Sequence, residues 1–197
     1  MSQIIISIGR EYGSGGHEIA QKLSERLGIA MYDRNMLESI AEYKGVDYSE
    51  LQKYDEAPRN KLMTRTIKGL SSSHEDNIAE MQFKYLKDKA EKGESFVAVG
   101  RCAETVLKDF EGLVSFFILG DKESRIQRIA KTRNMSYDEA KSAVSRHDRS
   151  RKFYHNRYSD VKWGDSRNYD ITINSSKIGV DEVVNILLEY IDKRFNK

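Results

Sequence analysis

The stretch Gly9-Arg10-Glu11-Tyr12-Gly13-Ser14-Gly15-Gly16-His17-Glu18 mixes glycines with ionisable side chains. Glycines let backbone amides approach an anion closely, and a helix starting just behind them adds partial positive charge. The candidate phosphate contacts are Gly9, Gly13, Ser14, Gly15, Gly16, His17 and Glu18. The spacing approximates a consensus of a glycine, four residues, then Gly-Lys-Ser/Thr. With Gly15 as the second glycine, Gly16 stands at the lysine and His17 at the hydroxyl residue. With Gly16 as the second glycine, His17 and Glu18 stand there. Neither alignment supplies the lysine or the hydroxyl. A tight structural turn without ligand is the alternative reading. If the loop takes part in catalysis, another cation must meet the phosphate charge. Arg10 inside the loop or His17 is the nearest candidate, since an imidazole can also donate to phosphate.

Arginine carries the rest of the expected chemistry, because its planar fork grips phosphate through two hydrogen bonds. Arg101 follows the apolar run Phe96-Val97-Ala98-Val99 and Gly100. Arg125, Arg128, Arg133, Arg146, Arg149 and Arg151 follow within 27 residues of one another. Arg125 and Arg128, three apart, share a helical face. The alternative is a solvated face of weak surface ion pairs. Asp33 either helps hold magnesium or an acceptor, or caps the helix behind it. Cys102 reads as a small buried packing residue, because no partnered base for a nucleophile is visible. Beyond that alternative for Asp33, the sequence does not identify metal ligands.

These residues need elements to position them. The run 3–8 reads as a strand buried on both faces, followed by the glycine loop and a helix over about 16–27 stopped by Gly28. Further strands are expected at 29–32, 96–99, 113–119 and 169–174. Helices are expected over 34–44, parts of 46–93, 122–133, 136–150 and 180–194. Pro58 and Ser71-Ser72-Ser73 read as breaks. The segment 153–169 reads as a loop, either pinned by Tyr158 and Trp163 on the core or completing the site. Strands alternating with helices predict an α/β fold with a parallel sheet covered on both faces. In such sheets ligands bind beyond the carboxyl ends of the strands. That is where Gly9 onward, Asp33-Arg34, Gly100-Arg101 and Asp121 fall.

The chain has 197 residues, 39% hydrophobic and 32% charged, with a net charge of +2. This suits one folded domain and does not call for nucleic acid. The single cysteine excludes an internal disulfide and agrees with a reducing compartment. No signal peptide is apparent and no run reaches the roughly 20 apolar residues of a membrane helix, so the expected location is cytoplasmic.

Taken in order, the loop, Tyr32-Asp33-Arg34, Val99-Gly100-Arg101-Cys102-Ala103 and Arg146-His147-Asp148-Arg149-Ser150-Arg151 resemble the cytidylate kinase family. The resemblance covers nearly the whole chain and is strongest to the divergent cytidylate kinase-like branch of the P-loop nucleoside monophosphate kinases. It implies a three-layer parallel-sheet fold with a mobile helical lid, one domain over 1–197, a helical acceptor-binding region at 34–93 and a lid at about 121–165. It implies transfer of the ATP γ-phosphoryl, with Mg2+, to CMP or dCMP. The catalytic residues would be Arg10, Arg101, Arg125, Arg128 and Arg151, with Arg125 to Arg133 reaching over donor phosphates. The acceptor would meet Asp33, Arg34, Arg101, Asp148 and Arg151, with Asp148 reading the cytosine edge and Arg151 a phosphate. The family pattern has Gly-Arg-Asp where this chain has Gly100-Arg101-Cys102. A nucleotide-binding regulator with weak or no catalysis, and a kinase for another small metabolite, are the competing readings. The expected partners are nucleotides and a small phosphorylated acceptor, with no nucleic acid and no membrane. A homo-oligomer is compatible with the sequence.

Overall fold

The computed structural model describes residues 3–33, 36–44, 66–67, 70–71 and 74–195. Arg34, Pro58 and Ser72-Ser73 lie outside them.

Five parallel strands form the central sheet: β1 (Ile5–Arg10), β2 (Ala30–Tyr32), β5 (Phe96–Val99), β6 (Leu113–Leu119) and β7 (Ile171–Asn174). Their order is β2-β5-β1-β6-β7. The chain lays strands on one side of β1 and then on the other, so the change of side falls at the centre of the sheet. Ligand crevices of open α/β sheets form at such a point.

Both faces of the sheet are covered, which explains the unbroken apolar runs. On one face Ile6, Ile8, Val97, Val99, Phe116 and Ile118 pack against Ile19 and Leu23 of α1 (Gly16–Leu27). The same face meets Val183, Val184 and Leu187 of α8 (Val180–Phe195). On the other face Ile5, Phe96 and Ala98 meet Leu37 and Ile40 of α2 (Met36–Lys44). They also meet Ile78 and Leu86 of α3 (His74–Glu91), and Ala103 of the short α4 (Ala103–Val106). The result is the expected three-layer α/β architecture. A third cluster joins Ile126 and Ile129 of α5 (Lys122–Arg133) to Ala140 and Val144 of α6 (Tyr137–Tyr158), with Tyr12 packed on it.

Several elements differ from expectation. β1 runs on to Arg10 because its ladder with β6 continues through Gly9↔Phe117 and Arg10↔Ile118. Arg10 is therefore the last residue of a strand and not a loop residue. Helix α6 extends to Tyr158, eight residues past the expected end, because its last turns are anchored on α3. There Arg157 and Tyr158 bond Asp76, and Tyr154 bonds Gln82. Within the region expected to be helical, Thr66–Ile67 (β3) and Leu70–Ser71 (β4) pair as an antiparallel ladder. The β-branched Thr66 and Ile67 favour that conformation. The fifth sheet strand starts at Ile171, after a 3-10 turn at Ser166–Asn168. The last short helix, α7, is Ser175–Ile178.

Among the described residues no helix is long and apolar enough to cross a membrane.

Candidate functional site

The loop between β1 and α1 takes its shape from two glycines with positive φ. Gly13 (φ 83) and Gly15 (φ 80) adopt left-handed backbone that side chains resist. Gly15 is the N-cap of α1, and its carbonyl accepts from the Ile19 amide at 2.9 Å. Because the helix begins at Gly16, Gly15 takes the second-glycine place of the phosphate consensus. Gly16 then stands at the lysine position and His17 at the hydroxyl position, which decides between the two alignments.

A cleft of about 740 Å³ opens above this loop. Of the sequence-predicted residues, Arg10, Gly13, Gly15, Gly16, His17, Asp33, Arg101 and Arg151 line it. Arg133 lines it too, so the lining holds four arginines and two acidic residues, Glu11 and Asp33. Such an excess of guanidinium suits an anionic ligand. The Asp33 carboxylate lies 3.5 Å from His17 Nδ1, while its carbonyl accepts from the Met36 amide at 3.2 Å. Among the described residues there is no cluster of three metal-ligating side chains.

Arg101 is held by an unusual backbone. Gly100, Arg101 and Cys102 all have positive φ (76, 59 and 52) at the end of β5. Left-handed non-glycine residues cost on the order of 1–3 kcal/mol and gather at functional sites. The turn is closed by the Ala103 amide donating to the Gly100 carbonyl at 3.2 Å and the Val106 amide to the Cys102 carbonyl at 2.8 Å. Arg101 itself is only 5% exposed, and its guanidinium lies 5.9 Å from the Tyr154 ring. Cys102 is buried, and burial pushes its thiol well above the usual range, in keeping with a packing residue.

Other sequence-predicted residues do not line the cleft. Gly9 lies beneath the loop, where a Cβ would sit 2.6 Å from the Phe117 ring. The Ser14 hydroxyl turns inward and donates to the Glu11 carbonyl at 2.9 Å. Glu18 pairs with Arg128 and Lys22 along the side of α1. Arg125, expected to reach over donor phosphates, is buried in protein contacts. Its Nε donates to the Gly120 carbonyl at 2.9 Å, and its Nη1 donates to the Tyr12 carbonyl at 3.1 Å and to Asp148 at 2.6 Å. The second Asp148 oxygen accepts the Tyr12 amide at 2.7 Å. Both Asp148 oxygens thus hold the chain rather than face the cleft, unlike the base-reading aspartate that the resemblance implies.

Sequence reasoning missed Glu11, Tyr12 and His147. Glu11 accepts the Gly120 amide at 3.0 Å beside Arg125. The Tyr12 ring stacks on His147 (4.2 Å, 22°) with the Arg151 guanidinium 5.3 Å from the Tyr12 ring. Arg151 Nη1 also donates to the Arg10 carbonyl at 3.2 Å. The loop and helices α5 and α6, expected as a lid, are therefore tied to one another. An aromatic residue inside a glycine loop was the only available signal.

Of the segment 153–169, expected as a loop pinned by Tyr158 and Trp163, residues 153–158 are instead the end of α6, with Tyr158 bonded to Asp76 of α3, while Trp163 does pack on the core. Trp163 and Tyr169 sit edge-on and tilted against Phe117. Together with Tyr154, Glu104 and His155 they close a cavity of about 30 Å³ behind Arg10 and Arg101. There His155 Nε2 meets Glu104 Oε1 at 2.6 Å, and Ser7 donates to the other Glu104 oxygen at 3.2 Å.

Comparison with known proteins bears on the family and the fold. The model of the cytidylate kinase-like family matches residues 5–177. A cytidylate kinase of Methanopyrus kandleri is 25% identical over 191 residues, covering 96% of this chain and 93% of that protein. A solved structure of an uncharacterized protein from Eubacterium ventriosum is 38% identical with a TM-score of 0.77, covering 96% of this chain and 99% of that one. Shikimate kinase from Bacteroides thetaiotaomicron shares the fold, with a TM-score of 0.55 at 12% identity over 96% of this chain and 98% of its own.

Proposed function

The chain belongs to the cytidylate kinase-like family, and on that premise we propose that it transfers the γ-phosphoryl of ATP to a nucleoside monophosphate of the CMP or dCMP kind. The observation that carries this reading is the convergence of Arg10, Arg101 and Arg151 on the cleft above the glycine loop. Phosphoryl transfer needs little covalent help from protein. It needs the reactants held in line and the spreading charge neutralised. The loop amides and the α1 N-terminus suit the donor phosphates, and Arg101, at the end of β5, suits the acceptor phosphate.

Mg2+ would accompany ATP. Such ions keep several waters and lean on one or two carboxylates plus phosphate oxygens. Asp33, which faces the cleft, fits that modest demand, with His17 as its partner. The whole chain is read as one cytoplasmic domain with the acceptor side in 34–93 and the lid at about 121–165. Neither nucleic acid nor membrane enters the reading.

A second reading, a nucleotide-binding regulator without turnover, draws on one observation: the lysine place in the loop is Gly16. Replacing Arg101 tests the first reading. Arg101→Ala should raise the KM for the acceptor at least tenfold and leave ATP binding within about twofold. Unchanged acceptor kinetics would remove Arg101 from the site.

A further inference from the structure

Gly16 opens helix α1 without the backbone conformation that demands glycine. Its φ is not positive, unlike those of Gly13 and Gly15. Glycine in a helix costs about 1 kcal/mol relative to alanine, so its presence needs another cause. That cause is Arg10. A Cβ on residue 16 would sit 2.5 Å from the Arg10 Cβ and 3.0 Å from its Cγ. The Arg10 stem fills the space into which a side chain at position 16 would project. Further out, a Cβ on Gly100 would overlap Arg10 Nη1. Arg10 therefore threads between two glycines, from the end of β1 over the first turn of α1 to the turn that carries Arg101.

From this we propose that Arg10 is the cation that serves the donor phosphates in place of the missing loop lysine. Gly16 is glycine because the replacement comes from the neighbouring strand. The inference rests on the kinase reading for its chemistry and deepens it. The charge has moved from the first residue of the helix to the last residue of the strand, and its guanidinium is delivered beside Arg101. That is the junction between the donor loop and the proposed acceptor arginine, where charge spreads during transfer. His17, the other sequence candidate, projects instead toward Asp33 from the next helical position.

This arrangement predicts that the two positions are exchangeable only together. Four proteins test it: wild type, Arg10→Ala, Gly16→Lys and the double variant Arg10→Gly with Gly16→Lys, in which glycine at position 10 also removes the Cβ that would lie 2.5 Å from a Cβ at position 16. The first readout is binding of inorganic tripolyphosphate by calorimetry, which needs no turnover. Arg10→Ala should weaken binding at least tenfold. Gly16→Lys should also weaken it, because the new side chain meets the Arg10 stem. The double variant, with the cation returned to the helix and the stem removed, should bind within about threefold of wild type. Wild-type affinity in Arg10→Ala would overturn the inference. So would a double variant that melts cooperatively and binds no better than Arg10→Ala. If the double variant does not fold, Arg10→Lys decides: binding within about fivefold of wild type upholds the role, and binding as poor as Arg10→Ala rejects it. ATP turnover on the same four proteins is the second readout. The binding pattern without turnover of any nucleoside monophosphate would uphold the Arg10 role and reject the kinase reading.

Discussion

The Asp148 carboxylate accepts the Tyr12 amide at 2.7 Å across 136 residues of sequence. Arg125 completes the contact, donating from one nitrogen to Asp148 and to the Tyr12 carbonyl. The middle of the glycine loop is thus gripped on both its donor and its acceptor side by residues of α5 and α6.

Asp148 is expected to act on the loop and not on the base. Asp148→Asn weakens a charged hydrogen-bond pair worth about 1.5–3 kcal/mol. The KM for ATP should rise about tenfold and the melting temperature should fall, with the preference for CMP over UMP within twofold of wild type. Steady-state kinetics with both acceptors checks this. Loss of the CMP preference with normal ATP kinetics would return Asp148 to the base-reading role.

The Cys102 thiol is held up chiefly by burial, with Glu104 adding to the shift and Arg101 opposing it. A raised pKa means less thiolate at pH 8 than an exposed cysteine has, and thiolate is the reactive form. Labelling by a thiol reagent at pH 8 should be at least 100-fold slower in the native protein than in denaturant. Equal rates would show that the turn at 100–102 opens freely.

Asp76 joins α3 to the end of α6, accepting from Arg157 Nε at 3.0 Å and from the Tyr158 hydroxyl at 2.6 Å. Removing one partner of a buried pair costs about 3–5 kcal/mol. Because Arg157 is partly exposed, Asp76→Ala should cost about 3 kcal/mol, read from denaturant unfolding. A loss under 1 kcal/mol would mean that this anchor contributes little.

Alkaline conditions should weaken the fold. Burial raises Tyr158 and, beside Tyr85, raises Tyr32 to about 12. A tyrosine with a raised folded pKa contributes stability that is complete below its unfolded value near 10. That contribution is lost as pH climbs toward the folded value. The urea midpoint should therefore fall between pH 10 and pH 12. A flat profile would contradict the burial of these phenols.

The layers of the fold were legible because buried parallel strands leave continuous apolar runs, as at Phe96-Val97-Ala98-Val99, and because Gly28 marks the end of α1. The extension of β1 to Arg10 was not, since Gly9-Arg10 reads as loop until β6 pairs with it. The last turns of α6 were hidden because their aromatic residues resemble a loop until Asp76 and Gln82 of α3 meet them. The arginines of the cleft were visible as types, and their division of labour was not. Arg101 and Arg151 line the cleft while Arg125 and Arg128 bind carboxylates, a sorting set by partners far away in sequence. The alignment of the glycine loop stayed open until the first residue of α1 was seen.

ADP formation with ATP, Mg2+ and a panel of nucleoside monophosphates decides whether this protein is a kinase for pyrimidine monophosphates. Turnover is expected with CMP or dCMP, little with AMP, and kcat should fall at least tenfold in Arg10→Ala. Stabilisation by ATP without ADP formation from any monophosphate would contradict the kinase reading and favour a nucleotide-binding regulator. At 100 times the dissociation constant, that stabilisation would be about 2.7 kcal/mol.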